Sequence, residues 1–403
     1  MKKIQLLVMS ASLLVAVSCK KKGCMDPLAN NYSVEAEKDN GSCDFSAISI
    51  TEDITTNTTW TSERAYVVEN TISVHNNATL TIEAGAVIRF KEGVEIDVSY
   101  SGDFGTVKAM GTADNPIIFT SDADVKAKGD WDGFWFYEGA NGCEFNYCEF
   151  DYSGGYFGAG ALNVKTTEIA VVGCTFRNSE GYGVEMRSNS GFTDFRLNTF
   201  LNNDVNDVLI YADYLHTLGT GNSYEKSIDV LGGDVDVPGD VTWINQGTDL
   251  LFDGTVYIGS ATGTKLIIQA GSVLKFGDSD EISVGLSVNG LIEAIGTASQ
   301  PIVFTSKSSY PTKGDWDGIW FYSGSANGSV LDFCNVSYGG GYSSTQGNIV
   351  YKFEQGSKVT VKNSTLSNSP GYGMMLDQPS SDTSYPTLLN NTYSNNDLGD
   401  KNF

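Results

Sequence analysis

Short runs in which apolar and polar residues alternate recur along most of the chain. Residues 71–74 (Thr-Ile-Ser-Val) and 358–361 (Lys-Val-Thr-Val) are typical examples. An alternation with a period of two puts the apolar side chains on one face of an extended strand and the polar ones on the other. After residue 20 no segment carries a sustained helical stripe, and Gly, Asn and Ser separate the runs. The pattern predicts an all-β fold made of many short strands.

The chain contains a long internal duplication. The string GDWDGFWFY at residues 129–137 returns as GDWDGIWFY at 314–322, and LTIEAGAVIRF at 80–90 returns as LIIQAGSVLKF at 266–276. A repeat of this kind, with small insertions between the matched strings, is typical of a solenoid whose coils stack on one another. Because no hinge rich in Pro and Ser separates them, the two halves, 46–240 and 241–403, are predicted to form one continuous body.

The repeated strings resemble a pattern found in lipoproteins of the Bacteroidota. That pattern starts at a Thr-Trp pair, here Trp60 and Trp243, and runs through the duplicated strings to the Gly-Asp-Trp segments. It is similar to the pectin-lyase-like superfamily, and the resemblance implies a right-handed parallel β-helix solenoid built from two homologous halves. The resemblance implies no single activity, because this architecture carries lyases, hydrolases, esterases, adhesins and plain scaffolds.

The first residues have a different composition from the rest. Lys2 and Lys3 precede an apolar stretch, residues 4–17, that is too short to span a bilayer. Small residues then lead to Cys19, which resembles the acylated cysteine of a bacterial lipobox. Residues 1–18 are therefore predicted to be a lipoprotein signal peptide, and Cys19 is predicted to be the lipidation site. The alternative is an ordinary secretion signal that is cleaved near residue 18.

An acylated Cys19 implies a protein held on the outer membrane by its lipid chains, since each buried methylene contributes about 0.8 kcal/mol. The sequence leaves the periplasmic and the cell-surface face open. Surface export in this family usually follows an acidic segment directly after the lipidated cysteine. Lys20, Lys21 and Lys22 stand there instead.

Residues 19–45 are predicted to hold the anchor and a small cysteine-bracketed module. Cys24 and Cys43 enclose a segment that resembles a module common in secreted proteins of the Bacteroidota. In an exported chain these two cysteines are predicted to form a disulfide. The favoured interpretation of the segment is a stapled turn with Asp and Asn at Asx-turn positions. The alternative is a Ca²⁺ site, since hard cations take oxygen ligands, and its weak candidate ligands are Asp26, Asp39 and Asp44.

Three other cysteines, Cys148, Cys174 and Cys334, lie in strand-like segments without a nearby histidine. They are predicted to be buried, stacked side chains that act as small hydrophobes and bind no metal.

The chain is strongly acidic, with 25 Lys and Arg against 49 Asp and Glu and a formal net charge of −24. Such a surface is a poor partner for nucleic acid, whose phosphates it repels. Neutral glycans, envelope proteins and divalent cations such as Ca²⁺ remain candidate partners. The sequence predicts no other cofactor.

Arginine and histidine are confined to the first half of the chain. The catalytic strings of polygalacturonases and pectin methylesterases are absent, so chemistry on a polysaccharide would have to use residues of the first half alone. The candidate catalytic set for a lyase or hydrolase is Arg177, Arg187, Glu185 and Asp194. The alternative is ordinary surface charge on a solenoid, and the sequence leans towards a protein without catalytic activity.

The aromatic residues of the duplicated string give the stronger hypothesis. Strand alternation predicts that Phe134 and Phe136 point inward. Trp135 and Tyr137, like their counterparts in the second copy, are then predicted to point outward. Rings that point outward could stack on sugar rings or on a protein partner. The alternative is an aromatic ladder covered by the protein's own loops. The candidate ligand-binding residues are Trp135, Tyr137, Trp320 and Tyr322.

The favoured function is therefore non-enzymatic binding of a glycan or another surface macromolecule by an envelope-anchored lipoprotein. A polysaccharide lyase or hydrolase is the first alternative, and a structural envelope spacer is the second. If Trp135 and Trp320 are exposed, replacing both with Ala should leave folding intact and weaken binding by roughly tenfold.

Overall fold

The computed structural model describes residues 20–25, 29, 31, 33–42, 46–187, 189–322, 328–343, 346–352, 358–377 and 385–403. The chain divides into two compact units, 1–48 and 49–403. In the first unit, β1 (Lys22–Gly23) pairs in parallel with β2 (Lys38–Asp39). No helix within the described ranges is both long and apolar enough to span a membrane.

The second unit is a solenoid of short strands, each paired in parallel with strands of the neighbouring coils. The strands of its first half are β3 (Ile48–Ile50), β4 (Thr58–Trp60), β5 (Ala65–Val68), β6 (Ile72–Val74), β7 (Ala78–Glu83), β8 (Val87–Phe90), β9 (Glu95–Val98), β10 (Gly105–Met110), β11 (Ile117–Ser121), β12 (Gly133–Phe136), β13 (Cys143–Asn146), β14 (Cys148–Asp151), β15 (Leu162–Val164), β16 (Glu168–Val172), β17 (Thr175–Arg177), β18 (Val184–Met186), β19 (Gly191–Arg196), β20 (Thr199–Leu201) and β21 (Val208–Tyr211).

The rest of the chain continues the same architecture across the boundary at residue 240. Its strands are β22 (Ile228–Val235), β23 (Gly239–Trp243), β24 (Asp249–Ile258), β25 (Thr264–Ile268), β26 (Val273–Phe276), β27 (Glu281–Val284), β28 (Gly290–Ile295), β29 (Ile302–Ser306), β30 (Gly318–Phe321), β31 (Ser329–Asp332), β32 (Cys334–Ser337), β33 (Gly347–Lys352), β34 (Val359–Lys362), β35 (Thr365–Ser367), β36 (Tyr372–Asp377), β37 (Thr387–Leu389), β38 (Thr392–Ser394) and β39 (Gly399–Lys401). Short 3-10 helices span Tyr100–Gly102 and Ala212–Thr217. The predicted all-β, parallel β-helix fold is confirmed.

Three sheets form the sides of the first half. Sheet 1 contains β4, β7, β10, β13, β16 and β19, and sheet 2 contains β3, β5, β8, β11, β14, β17 and β20. Sheet 3 contains β6, β9, β12, β15, β18 and β21. The chain visits the sheets in this order once per coil, so the turn between sheets 2 and 3 recurs in every coil at the same corner.

Sheet 3 continues into the second half, whereas sheets 1 and 2 end. It passes through 228–231 of β22 and 250–253 of β24 to β26, β29, β32, β35 and β38. The ends of the same two long strands, 233–235 and 256–258, begin sheet 4, which goes on through β27, β30, β33, β36 and β39. Sheet 5 contains β23, β25, β28, β31, β34 and β37.

Two glycines allow β22 and β24 to turn from one sheet to the next. A Cβ atom on Gly232 would lie 2.6 Å from the carbonyl carbon of Gly254, and Gly254 has a φ of +112°. Larger side chains at this corner would push the two strands apart. The register between the strands shifts at the same place, between Leu231 and Gly233.

This junction offsets the two halves by one side of the coil. The strand of the first GDWDG string, β12, belongs to sheet 3, whereas the strand of the second, β30, belongs to sheet 4. Likewise β8 belongs to sheet 2 and its counterpart β26 belongs to sheet 3. Equivalent residues of the two halves therefore lie on different sides of one continuous solenoid.

Stacked aromatic rings fill the core and explain why the Gly-Asp-Trp string is repeated. Trp131 is fully buried and stacks on Phe90 with ring centroids 4.1 Å apart, and Trp316 stacks on Phe276 at 4.4 Å. The indole of Trp131 also donates a hydrogen bond to the carbonyl oxygen of Asp151, at 2.9 Å. The string is thus a packing element, in which a buried ring finds both a stacking partner and an acceptor.

The cysteines of the solenoid are buried, as the sequence predicts. Cys148, Cys174 and Cys334 are free thiols with at most 1% of their surface exposed. In the N-terminal unit, Cys24 is buried and disulfide-bonded. Cys19 and Cys43 lie outside the described residues, so lipidation and the Cys24–Cys43 pairing stay predictions.

Candidate functional site

A cleft of about 580 Å³ opens at the corner between sheets 2 and 3. Its walls are the turns of four successive coils, which lie between β8 and β9, β11 and β12, β14 and β15, and β17 and β18. We call it the aromatic cleft, and its lining residues are Glu92, Gly93, Gly129, Asp132, Gly155, Tyr156, Phe157, Gly158 and Glu180.

Glycine is required where these turns approach one another. Gly129 has a φ of +78°, and a Cβ atom there would lie 2.1 Å from the Glu180 carboxylate. The glycine therefore lets Glu180, which is exposed, close over the turn of a coil two steps away. Three carboxylates, those of Glu92, Asp132 and Glu180, consequently face one small space.

Two exposed aromatic rings form the rim of the cleft. Tyr156 is 51% exposed and Phe157 is 94% exposed, and their rings meet edge to face at 5.0 Å. Phe157 also has a φ of +48°, a left-handed conformation that costs a bulky residue about 1–3 kcal/mol. The same left-handed conformation occurs at other turn residues of the solenoid, among them Tyr147 and Phe333. What sets Phe157 apart is that almost its whole ring faces solvent.

The predicted ligand-binding tryptophans project outward but are covered. Phe134 and Phe136 are fully buried in the core, as expected, while Trp135 lies on the other side of the strand with only 4% of its surface exposed. Lys165 and Arg187 lie over its ring at 4.8 and 5.1 Å. The expectation of an exposed ring is therefore wrong, because side chains from the next two strands of sheet 3 cover it.

The second copy is covered in the same way. Trp320 is 2% exposed, with Lys352 over its ring at 4.9 Å and the ring of Tyr342 at 5.6 Å. Tyr322 and its counterpart Tyr137 are both half-buried. Since β12 and β30 lie in different sheets, the two aromatic pairs do not form one strip along the solenoid.

Buried carboxylates lie beside Trp135 on sheet 3. Burial raises the pKa of Glu95 to about 7, with help from the charges of Asp97 and Asp132. Burial likewise raises the pKa of Asp97 to about 6, although Tyr137 donates a hydrogen bond to it. These groups hold protons at a pH where an unfolded chain would release them.

Replacing Glu95 with Gln should remove part of the pH dependence of stability. Below about pH 4.5 both the folded and the unfolded protein hold the Glu95 proton, so the group contributes no penalty. Between pH 4.5 and 7 the unfolded chain binds fewer protons than the folded one, so stability falls as pH rises. We expect Glu95→Gln to exceed the wild type by roughly 1–3 kcal/mol at pH 8 and to match it at pH 4.5.

Urea unfolding midpoints at both pH values measure this difference. The matched control is Glu83→Gln, an exposed carboxylate at the end of β7, which should leave the pH profile unchanged. Equal midpoints for Glu95→Gln and the wild type at pH 8 would contradict the prediction.

The structure does not bring the candidate catalytic set together. Arg187 forms an ion pair with Glu185 at 2.9 Å, next to Trp135 on sheet 3. Arg177 instead lies on sheet 2, 3.0 Å from the carboxylates of Glu149 and Asp151. Asp194 lies on sheet 1, where it pairs with Arg196 at 3.0 Å. The four residues thus occupy three sides of the coil.

The Arg187–Glu185 pair nevertheless lines a groove of its own, of about 330 Å³. Lys165 and Tyr211 are also part of its wall. Burial raises the pKa of Glu185 although Arg187 opposes the shift. The groove therefore combines two cations with a carboxyl group that is easily protonated.

Of the three weak candidate Ca²⁺ ligands, one lies among the residues that the structure describes. Asp26 and Asp44 lie outside the described residues. The Oδ1 atom of Asp39 accepts a hydrogen bond from the backbone nitrogen of Gly41 at 3.1 Å, as in an Asx turn. Across the described ranges, no group of three or more His, Cys, Asp or Glu side chains could hold a metal ion.

Sequence reasoning missed Phe157 and Glu180 as site residues. The available signal was a difference between the halves and not a similarity. The position of Phe157 is occupied by Ser343 in the second half, and the position of Glu180 by Pro370. A position at which the two copies of the repeat differ, among positions that match, is a candidate for a binding residue present in one half only.

Comparison with known families agrees with this architecture. The model of the pectate-lyase-like β-helix domain matches residues 52–165 and again 236–352, one segment in each half. No curated protein and no solved structure matches the chain. Since the two segments cover more than half of the residues, the chain belongs to the pectate-lyase-like β-helix domain family.

Proposed function

We propose that this protein is an envelope-anchored lipoprotein that binds a neutral glycan in the aromatic cleft without cleaving it. The observation that carries the proposal is Phe157, an almost fully exposed ring that lies with Tyr156 on the rim of a carboxylate-lined cleft. Exposed apolar rings grouped beside a cleft are typical of a ligand-binding groove.

The chemistry of the cleft matches a sugar chain. The rings of Tyr156 and Phe157 offer apolar faces for stacking against the C–H faces of pyranose rings. The carboxylates of Asp132 and Glu180 accept hydrogen bonds from sugar hydroxyls. These negative charges, on a chain of net charge −24, repel an anionic polymer. A neutral glycan is therefore the favoured ligand.

Replacing Phe157 with Ala should weaken glycan binding by about fivefold to tenfold, because a lost stacking contact is worth about 1–1.5 kcal/mol. A glycan array with residues 20–403 identifies the ligand, and titration calorimetry then compares the variants. The matched control is Phe104→Ala, which removes an aromatic ring that is 52% exposed and lies between β9 and β10, at a different corner of the coil from the cleft. Unchanged affinity in Phe157→Ala would sink the proposal.

The membrane anchor is a separate part of the proposal and rests on the lipobox-like sequence at Cys19. The change Cys19→Ser should move the protein from the membrane fraction to the soluble fraction, since it removes the acyl chains that hold it there. Cell fractionation with a high-salt wash measures this shift. Membrane retention of the variant after the wash would show that acylation is not the anchor.

The groove at Arg187 supports a second candidate function, a polysaccharide lyase or hydrolase of the first half. Its two cations could hold a charged sugar, and the carboxyl group of Glu185 could transfer a proton. Release of reducing ends from a polysaccharide by the wild type, abolished in Arg187→Ala, would replace the binding proposal with this one. If the protein neither binds nor cleaves glycans, the structural envelope spacer remains.

A further inference from the structure

We propose that the protein carries a second glycan site in its second half, on a different side of the solenoid, and that it cross-links two glycan chains. This inference rests on the proposed function, because it assigns the same ligand class to the repeat-equivalent surface. The two sites face different directions because the junction at β22 and β24 offsets the halves by one side of the coil.

The second half has a cleft at the equivalent corner. The turns between sheets 3 and 4 enclose about 350 Å³, which we call the second cleft. Its lining residues are Phe276, Gly277, Asp278, Ser306, Lys307, Ser308, Gly314 and Asp315. In the next turn lies Tyr342, which is 71% exposed and packs edge to face on Trp320 at 5.6 Å. Tyr156 makes the same contact with Trp135, also at 5.6 Å.

The second cleft keeps only part of the binding chemistry of the first. Tyr342 and Asp317 correspond to Tyr156 and Asp132. Tyr342 keeps the exposed ring beside the cleft, whereas Asp317 is buried and is not part of the cleft wall. In contrast, Ser343 replaces the exposed Phe157, and Pro370 replaces Glu180. The wall of the second cleft carries the carboxylates of Asp278 and Asp315 and the ammonium group of Lys307. With one stacking ring fewer, the second cleft should bind the same glycan about tenfold more weakly.

The separation of the sites determines what they can bind together. Along sheet 3, seven strand-to-strand steps lead from β15, which follows Tyr156, to β32, which precedes Tyr342. At about 4.8 Å per step, the sites are roughly 34 Å apart along the axis. They also lie at different corners of the coil. A straight glycan chain that follows the turns of one corner therefore misses the other site.

Two probes separate a cross-linker from a protein with one site. Cellohexaose is a short neutral chain, and its titration into residues 20–403 should give two sites per protein, with dissociation constants about tenfold apart. Soluble mixed-linkage β-glucan is a long neutral chain with many copies of the epitope. Light scattering of its mixtures with the protein should rise and then fall as the protein-to-polymer ratio increases, as expected for bivalent cross-linking.

Single-site variants complete the test. Tyr342→Ala should remove the weaker site from the cellohexaose titration, keep the tighter one and abolish the scattering of the β-glucan mixture. Phe157→Ala should reduce scattering by weakening the tighter site. Phe104→Ala removes an exposed ring between β9 and β10, away from both clefts, and should behave as the wild type. One cellohexaose site in the wild type, or scattering that survives Tyr342→Ala, would overturn the second site and leave the proposed function intact. If the glycan array identifies a different neutral glycan, its oligomer and its polymer take the place of these two probes. Absence of binding to every neutral glycan on the array would overturn both proposals.

Discussion

Truncation of the chain after residue 240 should turn the first half into an aggregating species. The cut leaves β22 as an edge strand without its partner β24, to which 228–235 pair along nearly their whole length. It also uncovers Val230 and Val235, which are fully buried in the complete chain. An open edge with apolar side chains is a template for pairing with other molecules. Size-exclusion chromatography should show residues 46–240 in the void volume or as polydisperse oligomers.

The comparison sample is residues 46–403 in the same buffer, which retains β24 and the rest of sheet 3. A 46–240 fragment that elutes as one symmetric monomer peak, with the circular dichroism of a folded β protein, would show that the halves are independent domains.

The change Trp135→Ala should destabilise the protein by about 3 kcal/mol, although the sequence alone suggests a harmless surface substitution. The ring is 4% exposed, and its removal leaves a cavity beneath Lys165 and Arg187. Large-to-small substitutions of buried aromatic residues typically cost about 3–5 kcal/mol. The lower end applies here, because the covering side chains are long and can collapse into the space. Urea unfolding followed by circular dichroism measures the loss.

The matched control is Phe157→Ala, which removes a ring of similar size that is 94% exposed. That variant should stay within about 0.5 kcal/mol of the wild type, as surface substitutions generally do. If Trp135→Ala unfolds at the wild-type urea concentration, the ring does not contribute to packing and the original hypothesis of an exposed binding surface regains its basis.

Much of the fold could be predicted from two local features. The alternation of apolar and polar residues identifies strands and the inward side of each, as for Phe134 and Phe136. The duplicated strings identify the solenoid, because a coil cannot bury its apolar face without neighbours. Both inferences use residues that are close in sequence or related by the repeat, and both are confirmed.

The cover over Trp135 could not be predicted in this way. The period of two gives the side of the strand on which a ring lies, but it says nothing about what lies above that side. Lys165 and Arg187 directly follow the next two strands of sheet 3, and they meet the ring only because the coils stack in one register. Such contacts depend on the length of each intervening turn, which strand patterns do not contain.

The offset between the halves could not be predicted either, because strand patterns do not show in which sheet a strand lies. Residues 205–242 look like continuous solenoid in sequence, and they are, but β22 and β24 each contribute to two sheets. At this junction Gly232 and Gly254 allow the two long strands to turn from sheet 3 into sheet 4. A comparison of the repeats aligns Trp135 with Trp320 and gives no hint that they lie on different sides.

The continuity of sheet 3 has a mechanical consequence. Of the five sheets, sheet 3 extends on both sides of the junction, while sheets 1 and 2 stop and sheets 4 and 5 start there. Tension along the axis is therefore concentrated on one row of strands near residues 212–235. If the protein holds a glycan at the second cleft and is anchored at Cys19, as proposed, a pull on that glycan would load this seam. A glycan pulling on the aromatic cleft would leave the seam unloaded.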